Sequence, residues 1–140
     1  MISFFVAGTP VAQGNHRATR RGRIYETTKG HREWREAVRL AASAIIGDPI
    51  TGPVQLTALF TFVRPMSHLK VGGGLRKGKP LGKTTKPDLS KLVRCVEDSI
   101  TDAGVWRDDS QVTDLVAYKT YGKNPGVLIK IAPIVITTTD

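Results

Sequence analysis

The sequence contains one cysteine, Cys95, among 140 residues, so no disulfide can form within the chain. It also has no apolar run that approaches the length of about 20 residues that a membrane-spanning helix needs. The apolar stretch ISFFVAG near the N-terminus is short, and no lysine or arginine precedes it as in a signal peptide. These absences predict a protein of the reducing cytoplasm with no membrane partner.

Acidic residues are scarce relative to basic ones. The chain has 12 Asp and Glu against 21 Lys and Arg, which gives a net charge of +9 and an isoelectric point near 10.1. The hydrophobic content of 40% is ordinary for a globular protein, so the charge is the unusual property. Such an excess of positive charge favours a polyanionic partner, most often nucleic acid.

The length suffices for one domain with its own core and is too short for two. Hydrophobic spacing and turn residues predict strands at residues 2–8, 22–27, 53–63, 110–121 and 127–136, and helices at 29–46 and 88–102. The turn GKNPG between the last two strands predicts that they form a hairpin. The expected architecture is a single α+β domain over residues 1–140, with a small, mostly antiparallel sheet and two helices.

The segment 64–86 differs in composition from its surroundings, with seven Lys and Arg, five glycines and no acid. It can bury little apolar surface, which predicts a mobile basic loop, either inert or able to grip a nucleic-acid backbone. Its stretch GGGLRKGKP approaches a phosphate-binding P-loop, but Pro80 stands where a Ser or Thr would hold magnesium. No strand leads directly into this stretch, so no nucleotide cofactor is expected.

Arginines cluster in two places in the first third of the chain. A charge run is usually a solvated face, but two clusters of one sign with few acids between them favour phosphate contact. The first cluster comprises Arg17, Arg20, Arg21 and Arg23, and the second comprises Arg32, Arg35 and Arg39.

The acids are concentrated elsewhere, because seven of the twelve lie between residues 88 and 114, among three Lys and Arg. Each has an ordinary alternative: Asp88 as a helix cap, Asp108 and Asp109 as turn residues. Together, carboxylates beside a phosphate-binding surface indicate a divalent-cation site for phosphodiester cleavage. Magnesium prefers oxygen ligands and keeps several waters, so two or three carboxylates suffice.

The block KPDLSKLVRCVEDSITDAGVWRDDSQV resembles the signature of the RusA-type Holliday junction resolvases, a family often carried by phages and prophages. The family pattern is approximately D-x-D-N-L-x-K-x-x-x-D-A-L, followed by G-x-x-x-D-D-x-Q. The spacing is kept at Asp88, Ser90, Lys91, Leu92, Arg94, Asp98, Gly104, Asp108, Asp109 and Gln111. Upstream, GTPVAQGNHRATRRGRIYETTKGHREWREAV is similar to the family's N-terminal pattern.

This resemblance implies a homodimer that cuts four-way DNA junctions with Mg²⁺, or alternatively Mn²⁺, in a bacterial or phage-infected cell. Two matched incisions suit a junction with approximate two-fold symmetry. The expected catalytic residues are Asp88, Arg94 and Asp109. The expected metal-binding residues are Asp88, Ser90, Asp108 and Asp109. The residues expected to contact DNA are Arg17, Arg20, Arg21, Arg23, Lys86 and Lys91.

Two positions depart from the family pattern. Ser90 offers a neutral hydroxyl where the family has a carboxylate, which lowers the expected metal affinity. Arg94 replaces a lysine, which keeps the charge but gives up a group whose pKa is easily lowered. Asp98 is too far along the helix from Asp88 to replace the missing carboxylate, since ten residues span about 15 Å. It is expected instead to pair with Arg94 or to make a structural hydrogen bond.

Three functions are compatible with these residues. The first is a magnesium-dependent, structure-selective endodeoxyribonuclease. The second is a junction-binding or DNA-binding protein in which cleavage is weak or lost because Ser90 replaces a metal-binding aspartate. The third is a basic nucleic-acid binder whose acids are purely structural.

Overall fold

A computed structural model describes residues 1–13, 16–18, 24–26, 30–45 and 47–135, with the backbone alone for 16–18 and 24–26. The strands are β1 (Ile2–Ala7), β2 (His16–Ala18), β3 (Ile24–Glu26), β4 (Val54–Phe62), β5 (Val112–Tyr121) and β6 (Gly126–Pro133). The helices are α1 (His31–Ser43) and α2 (Leu89–Ala103). In the described part of the chain, no helix is long and apolar enough to cross a membrane.

The main sheet has the strand order β1-β6-β4-β5. Strand β6 runs antiparallel to both of its neighbours, and β5 runs parallel to β4 at the edge of the sheet. Strands β2 and β3 form a separate antiparallel pair. The predicted α+β class, with a mostly antiparallel sheet and two helices, is therefore confirmed.

The predicted hairpin of the last two strands is wrong. Strand β4 lies between β5 and β6, so the turn that follows Tyr121 crosses the end of β4. Two contacts fix this crossing: the Gly122 amide donates a hydrogen bond to the Phe62 carbonyl at 2.9 Å, and Gly122 passes close to the Thr61 side chain. A turn motif indicates only that the chain reverses direction, and the neighbour of each strand is decided by the whole sheet.

The core lies between one face of this sheet and the two helices. The alternating residues Val54, Leu56, Ala58, Phe60 and Phe62 of β4 are all buried, as the period of two in the sequence predicts. Helix α2 buries the apolar residues Leu92, Val93, Val96 and Ile100, together with Cys95 and Ser99. This packing fixes the orientation of α2 and directs its polar residues toward β5 and the solvent.

Trp106 is the largest fully buried side chain, and it anchors the segment that follows α2. Its indole N–H donates a 2.7 Å hydrogen bond to the Thr101 hydroxyl, and the neighbouring Val105 carbonyl accepts a 2.8 Å bond from the Ile50 amide. At the helix C-terminus, Gly104 has a φ of 81°, a conformation that favours glycine. These contacts determine where the Asp108–Asp109 turn lies.

Trp106→Ala is expected to reduce the free energy of unfolding by about 3–5 kcal/mol, because it leaves a cavity in a packed core. It also leaves the Thr101 hydroxyl without its hydrogen-bond donor. Urea unfolding followed by circular dichroism measures the change. Val116→Ala, at a side chain that is 43% exposed, is the control and should change stability by less than about 0.5 kcal/mol. Equal losses in the two variants would contradict the anchoring role.

Candidate active site

Asp88 occupies the position immediately before α2, where an aspartate side chain ordinarily accepts a hydrogen bond from an amide of the first helical turn. Here the Asp88 side chain makes no such capping bond, and the residue is exposed. The Asp88 carbonyl accepts the first regular helical bond, from the Leu92 amide at 3.1 Å. The Asp88 carboxylate is therefore not used as a helix cap.

A cavity of 400 Å³, here called the Asp88 cavity, lies beside the start of α2. It is lined by Pro10, Val11, Ala12, Gln13, Lys86, Pro87, Asp88 and Lys91. The Gln13 amide donates a 3.2 Å hydrogen bond to the Lys91 carbonyl, which holds the loop after β1 against the helix. The Gln13 side-chain oxygen is buried and has no hydrogen-bond partner among the described residues. The Asp88 carboxylate and the Gln13 side-chain oxygen, both able to bind a metal ion, thus share one concave surface with Lys86 and Lys91.

A second cavity of 380 Å³, here called the Glu97 cavity, lies between α2 and the edge strand β5. It is lined by Leu89, Ser90, Val93, Arg94, Glu97, Leu115 and Ala117. Ser90, Arg94 and Glu97 are spaced i, i+4 and i+7, which places them on one side of the helix. In the structure Ser90, Arg94 and Glu97 line one cavity.

The turn that carries Asp108 and Asp109 is held by Gln111. The side-chain oxygen of Gln111 accepts hydrogen bonds from the amides of Arg107 and Asp108 at 2.9 and 3.2 Å. Its side-chain nitrogen donates to the carbonyls of Ile50 and Gly52 at 2.9 and 3.0 Å. The Asp108 carboxylate accepts a 3.1 Å bond from the Ser110 amide, so Asp108 caps this turn. Asp109, by contrast, lies on the turn without a capping role.

The acids near the Glu97 cavity repel one another. Burial, followed by the charges of Asp109 and Asp98, raises the pKa of Glu97. A hydrogen bond with Asp108, partial burial and the charges of Asp108 and Asp98 raise the pKa of Asp109. The Arg94 guanidinium opposes the rise at both carboxyls. At Asp108 the hydrogen bond from the Ser110 amide dominates, and it lowers the pKa. A bound cation would relieve the repulsion between these groups.

The predicted pair of Arg94 and Asp98 is not formed. The ion pairs among the described residues are Arg35–Asp102 and Arg39–Glu36. Asp98 acts instead through its charge on Arg35, Glu97 and Asp109. The reason is that α1 supplies cations to this side of α2, and Arg94 projects toward the Glu97 cavity.

The arginines predicted to contact phosphate are only partly described. Arg20, Arg21 and Arg23 lie outside the described residues, and for Arg17 only the backbone, in β2, is described. On α1, Arg35 and Arg39 are engaged by acids, which reduces the positive charge that this helix can offer. Arg32 of the same helix is exposed.

The predicted metal-binding residues divide between the two cavities. Asp88 lines the Asp88 cavity, whereas Ser90 lines the Glu97 cavity, and Asp109 interacts with the acids of the latter. Within the described ranges, no three His, Cys, Asp or Glu side chains are grouped so that they could hold a metal ion. The donors are nevertheless hard oxygens, as magnesium prefers, and this ion needs only one or two carboxylates beside its waters.

Two residues of these cavities could not be recognised from the sequence. Glu97 occupies a variable position of the family pattern, and its closeness to Ser90 depends on β5 closing the cavity. Gln13 comes from a loop some 75 residues before Asp88 in the sequence, and nothing in its local sequence pairs it with Asp88. The helical spacing of Ser90, Arg94 and Glu97 was the only signal available in advance.

Comparison with known proteins shows the family of the chain. Residues 7–132 match the family described as Endodeoxyribonuclease RusA, a range that contains both cavities and the Asp108–Asp109 turn. The chain is also 34% identical over 140 residues to an uncharacterised protein, YqaN, of Bacillus subtilis (strain 168). That alignment covers 95% of this chain and 96% of the relative. The chain therefore belongs to the RusA endodeoxyribonuclease family.

Proposed function

We propose that this protein is a magnesium-dependent endodeoxyribonuclease that resolves four-way DNA junctions by paired, symmetric nicks. Family membership implies the junction-resolving nuclease. The observation that carries the rest of the proposal is the uncapped Asp88 carboxylate, which lies in a cavity with Lys86 and Lys91. A carboxylate that stabilises its own helix would have no need of a concave, basic surrounding, whereas one that works on a phosphodiester does.

The residues of both cavities fit a hard divalent cation. Asp88 shares its cavity with the unpartnered Gln13 oxygen, and Asp109 lies among acids that repel it. We propose Asp88 and Asp109 as the principal metal-binding residues, with Asp108 and the Ser90 hydroxyl in supporting positions. Mg²⁺, or Mn²⁺ in its place, would activate a water and stabilise charge on the scissile phosphate.

The basic residues of the site hold and orient the DNA strand. Arg94 faces the Glu97 cavity, where it is positioned to contact a phosphate oxygen near the reacting centre. An arginine stays protonated at any working pH, so Arg94 acts as an electrostatic clamp and not as a proton donor. Lys86 and Lys91 flank Asp88 and would contact the adjoining phosphates. Arg17, Arg20, Arg21 and Arg23 are proposed to extend this contact.

Glu97 is proposed to supply the carboxylate that Ser90 does not. The two side chains line the same cavity with Arg94 between them, so an ion held in that cavity would feel the charge of Glu97 as well as any charge at position 90. The raised pKa of Glu97 reflects its burial and its acidic neighbours, which are the surroundings of a cation-binding carboxylate. Glu97 thus compensates for the departure from the family pattern.

The protein is proposed to act as a homodimer, because resolution requires two incisions and the chain carries one set of site residues. The second candidate function is a junction-binding protein with weak or lost cleavage. A single observation favours it: Ser90 lines the Glu97 cavity, so the carboxylate that the family pattern has at position 90 is missing from within the proposed site.

Incubation of the purified protein with a synthetic four-way junction distinguishes these functions. We expect paired, symmetric nicks in the presence of magnesium and none in EDTA, because the metal supplies the activated water. The nicked ends should be ligatable, and a linear duplex of the same sequence serves as the control. Tight binding without nicks in Mg²⁺ or Mn²⁺ would support the second candidate. Equal affinity for junction and linear duplex would contradict both.

A further inference from the structure

The basic segment 64–86, here called the basic arm, has defined local structure. A short 3₁₀ turn, Met66–His68, is followed by a tight hairpin in which Leu69 pairs with Leu75. Backbone bonds close the hairpin, from the Lys70 amide to the Gly74 carbonyl at 2.9 Å and from the Arg76 amide to the His68 carbonyl at 2.8 Å. These bonds define the backbone path of the hairpin. The mobility expected from its composition stays a prediction.

The base of the basic arm is fastened to the end of the main sheet by stacked cations. The Arg64 guanidinium lies 4.3 Å from the Tyr121 ring centroid and donates hydrogen bonds to the carbonyls of Pro80 and Leu81 at 2.7 and 3.1 Å. The Lys83 ammonium lies 4.8 Å from the Phe62 ring centroid. Such cation–aromatic contacts are each worth about 0.5–1 kcal/mol at exposed sites. Arg64 and Lys83 are therefore used for anchoring.

Three other lysines of the basic arm make no such anchoring contact among the described residues. Lys70, Lys77 and Lys79 are exposed, and none forms an ion pair within the part of the chain that the structure describes. Burial and the nearby charges of Lys79, Arg64 and Lys83 lower the pKa of His68, which shows a concentration of positive charge with no acid to balance it. An anion brought to this surface would relieve that repulsion.

The basic arm also leads directly into the candidate site. Its last residue, Lys86, lines the Asp88 cavity, and the chain then passes through Pro87 to Asp88. The Lys119 ammonium of β5 donates hydrogen bonds to the carbonyls of Thr85 and Pro87 at 2.7 and 2.8 Å, which fixes this connection to the sheet. A DNA backbone lying along the arm would consequently be held in register with Asp88.

We propose that the basic arm is a pre-ordered clamp for the DNA backbone, in which Lys70, Lys77 and Lys79 contact phosphates of a duplex that continues into the Asp88 cavity. This inference rests on the proposed function, because it takes branched DNA as the substrate. It assigns a surface that neither the arginine clusters nor the catalytic residues include. We expect the arm to bind DNA independently of base sequence, because contacts between lysines and phosphates carry no sequence information.

The test compares two double variants with equal loss of charge, Lys70→Gln/Lys79→Gln on the arm and Lys123→Gln/Lys130→Gln outside it, in β6 and the turn before β6. For an uncut junction in EDTA, we expect the arm variant to bind at least about tenfold more weakly at low salt. Its slope of log affinity against log salt should fall by about 0.9 for each phosphate that the arm no longer neutralises. The control should change neither quantity by a comparable amount. Equal effects of the two variants would overturn the proposal, because they would report net charge alone.

A second readout follows His68 by proton NMR in the wild-type protein. A phosphate near Lys79 and Arg64 would relieve the repulsion around the imidazole, so addition of uncut junction should raise the pKa of His68 toward its ordinary value. A pKa of His68 that does not move at saturating DNA would overturn the proposal. If the wild-type protein fails to bind or nick the junction at all, the proposed function fails first, and the two failures are thereby distinguished.

Discussion

Asp109→Asn is expected to lower the rate of junction nicking in magnesium by more than about 100-fold, since loss of an outer-shell partner alone commonly costs 10–100-fold. Binding of the uncut junction should be retained, because the substitution removes negative charge from a surface that meets DNA. The turn that carries Asp109 is held by Gln111 and by the capping role of Asp108, so the fold does not depend on the Asp109 carboxylate.

The matched control is Asp114→Asn. The Asp114 carboxylate lies on exposed β5 and accepts a 2.7 Å hydrogen bond from the Gln55 side chain, outside both cavities. Nicking rates are measured with excess enzyme over labelled junction, and binding is measured in EDTA by gel shift. Loss of binding in parallel with nicking, or an equal effect of the control, would contradict the assignment of Asp109 to the reacting centre.

Asp88→Asn, made alongside, separates the contributions of the two cavities. If Asp88 and Asp109 act on one reacting phosphate, each single variant removes most of the activity and the double variant adds little, because such effects are not additive. If Asp88 only contributes to DNA placement, its variant weakens binding and leaves the maximal nicking rate close to that of the wild type. The structure makes this comparison informative, since it places Asp88 and Ser90 in different cavities.

The helices and the central strand could be predicted from the sequence because their information is local. The period of apolar residues located α2 to within a residue at each end, and Gly104 marked its end. The alternation along β4 identified its buried face residue by residue. These patterns report which side of an element is buried, and the burial of that side is what stabilises the element.

The neighbours of each element could not be predicted, because they depend on residues far apart in the sequence. The turn after β5 suggested a hairpin, yet β5 pairs in parallel with β4, whose partner residues lie 58 or 59 positions earlier, as in Val54 with Val112 and Phe62 with Tyr121. The same limit applied to the site. Glu97 and Ser90 form one cavity only because Leu115 and Ala117 of that parallel edge strand close it. Because the predicted hairpin put the wrong strand beside β5, Glu97 was not recognised as a residue of the site.

The family resemblance placed Asp88, Ser90, Arg94 and Asp109 in one site. In the structure Asp88 lines the Asp88 cavity, whereas Ser90 and Arg94 line the adjacent Glu97 cavity. Positions kept in a sequence pattern can serve one reaction from two surfaces if the substrate bridges them. A DNA strand that contacts Lys86 and Lys91 at the Asp88 cavity and Arg94 at the Glu97 cavity would do so. The helix start between the cavities would then lie against the backbone of the strand to be cut.

Glu97→Gln is expected to lower junction nicking by about 10–100-fold, the range for a residue that tunes or completes a metal site. The same substitution in a protein with Ser90→Asp should cost much less, because the new carboxylate at position 90 restores the one that the family pattern has there. The physical reason is that residues 90, 94 and 97 line one cavity, so a carboxylate at position 90 or at position 97 can supply the negative charge there.

The test is a double-mutant cycle of four proteins: wild type, Glu97→Gln, Ser90→Asp and the double variant. Each protein is assayed for nicking as a function of magnesium concentration. Ser90→Asp alone should lower the magnesium concentration needed for half-maximal nicking, since it adds a carboxylate beside Arg94 and Glu97. Glu33→Gln, at an exposed position in the first turn of α1, controls for the loss of an acid elsewhere. Strictly additive effects of the two substitutions would contradict compensation, because independent sites add and residues that share one ion do not. Rescue in the double variant, by contrast, would show that the acid at position 97 replaces the one missing at position 90.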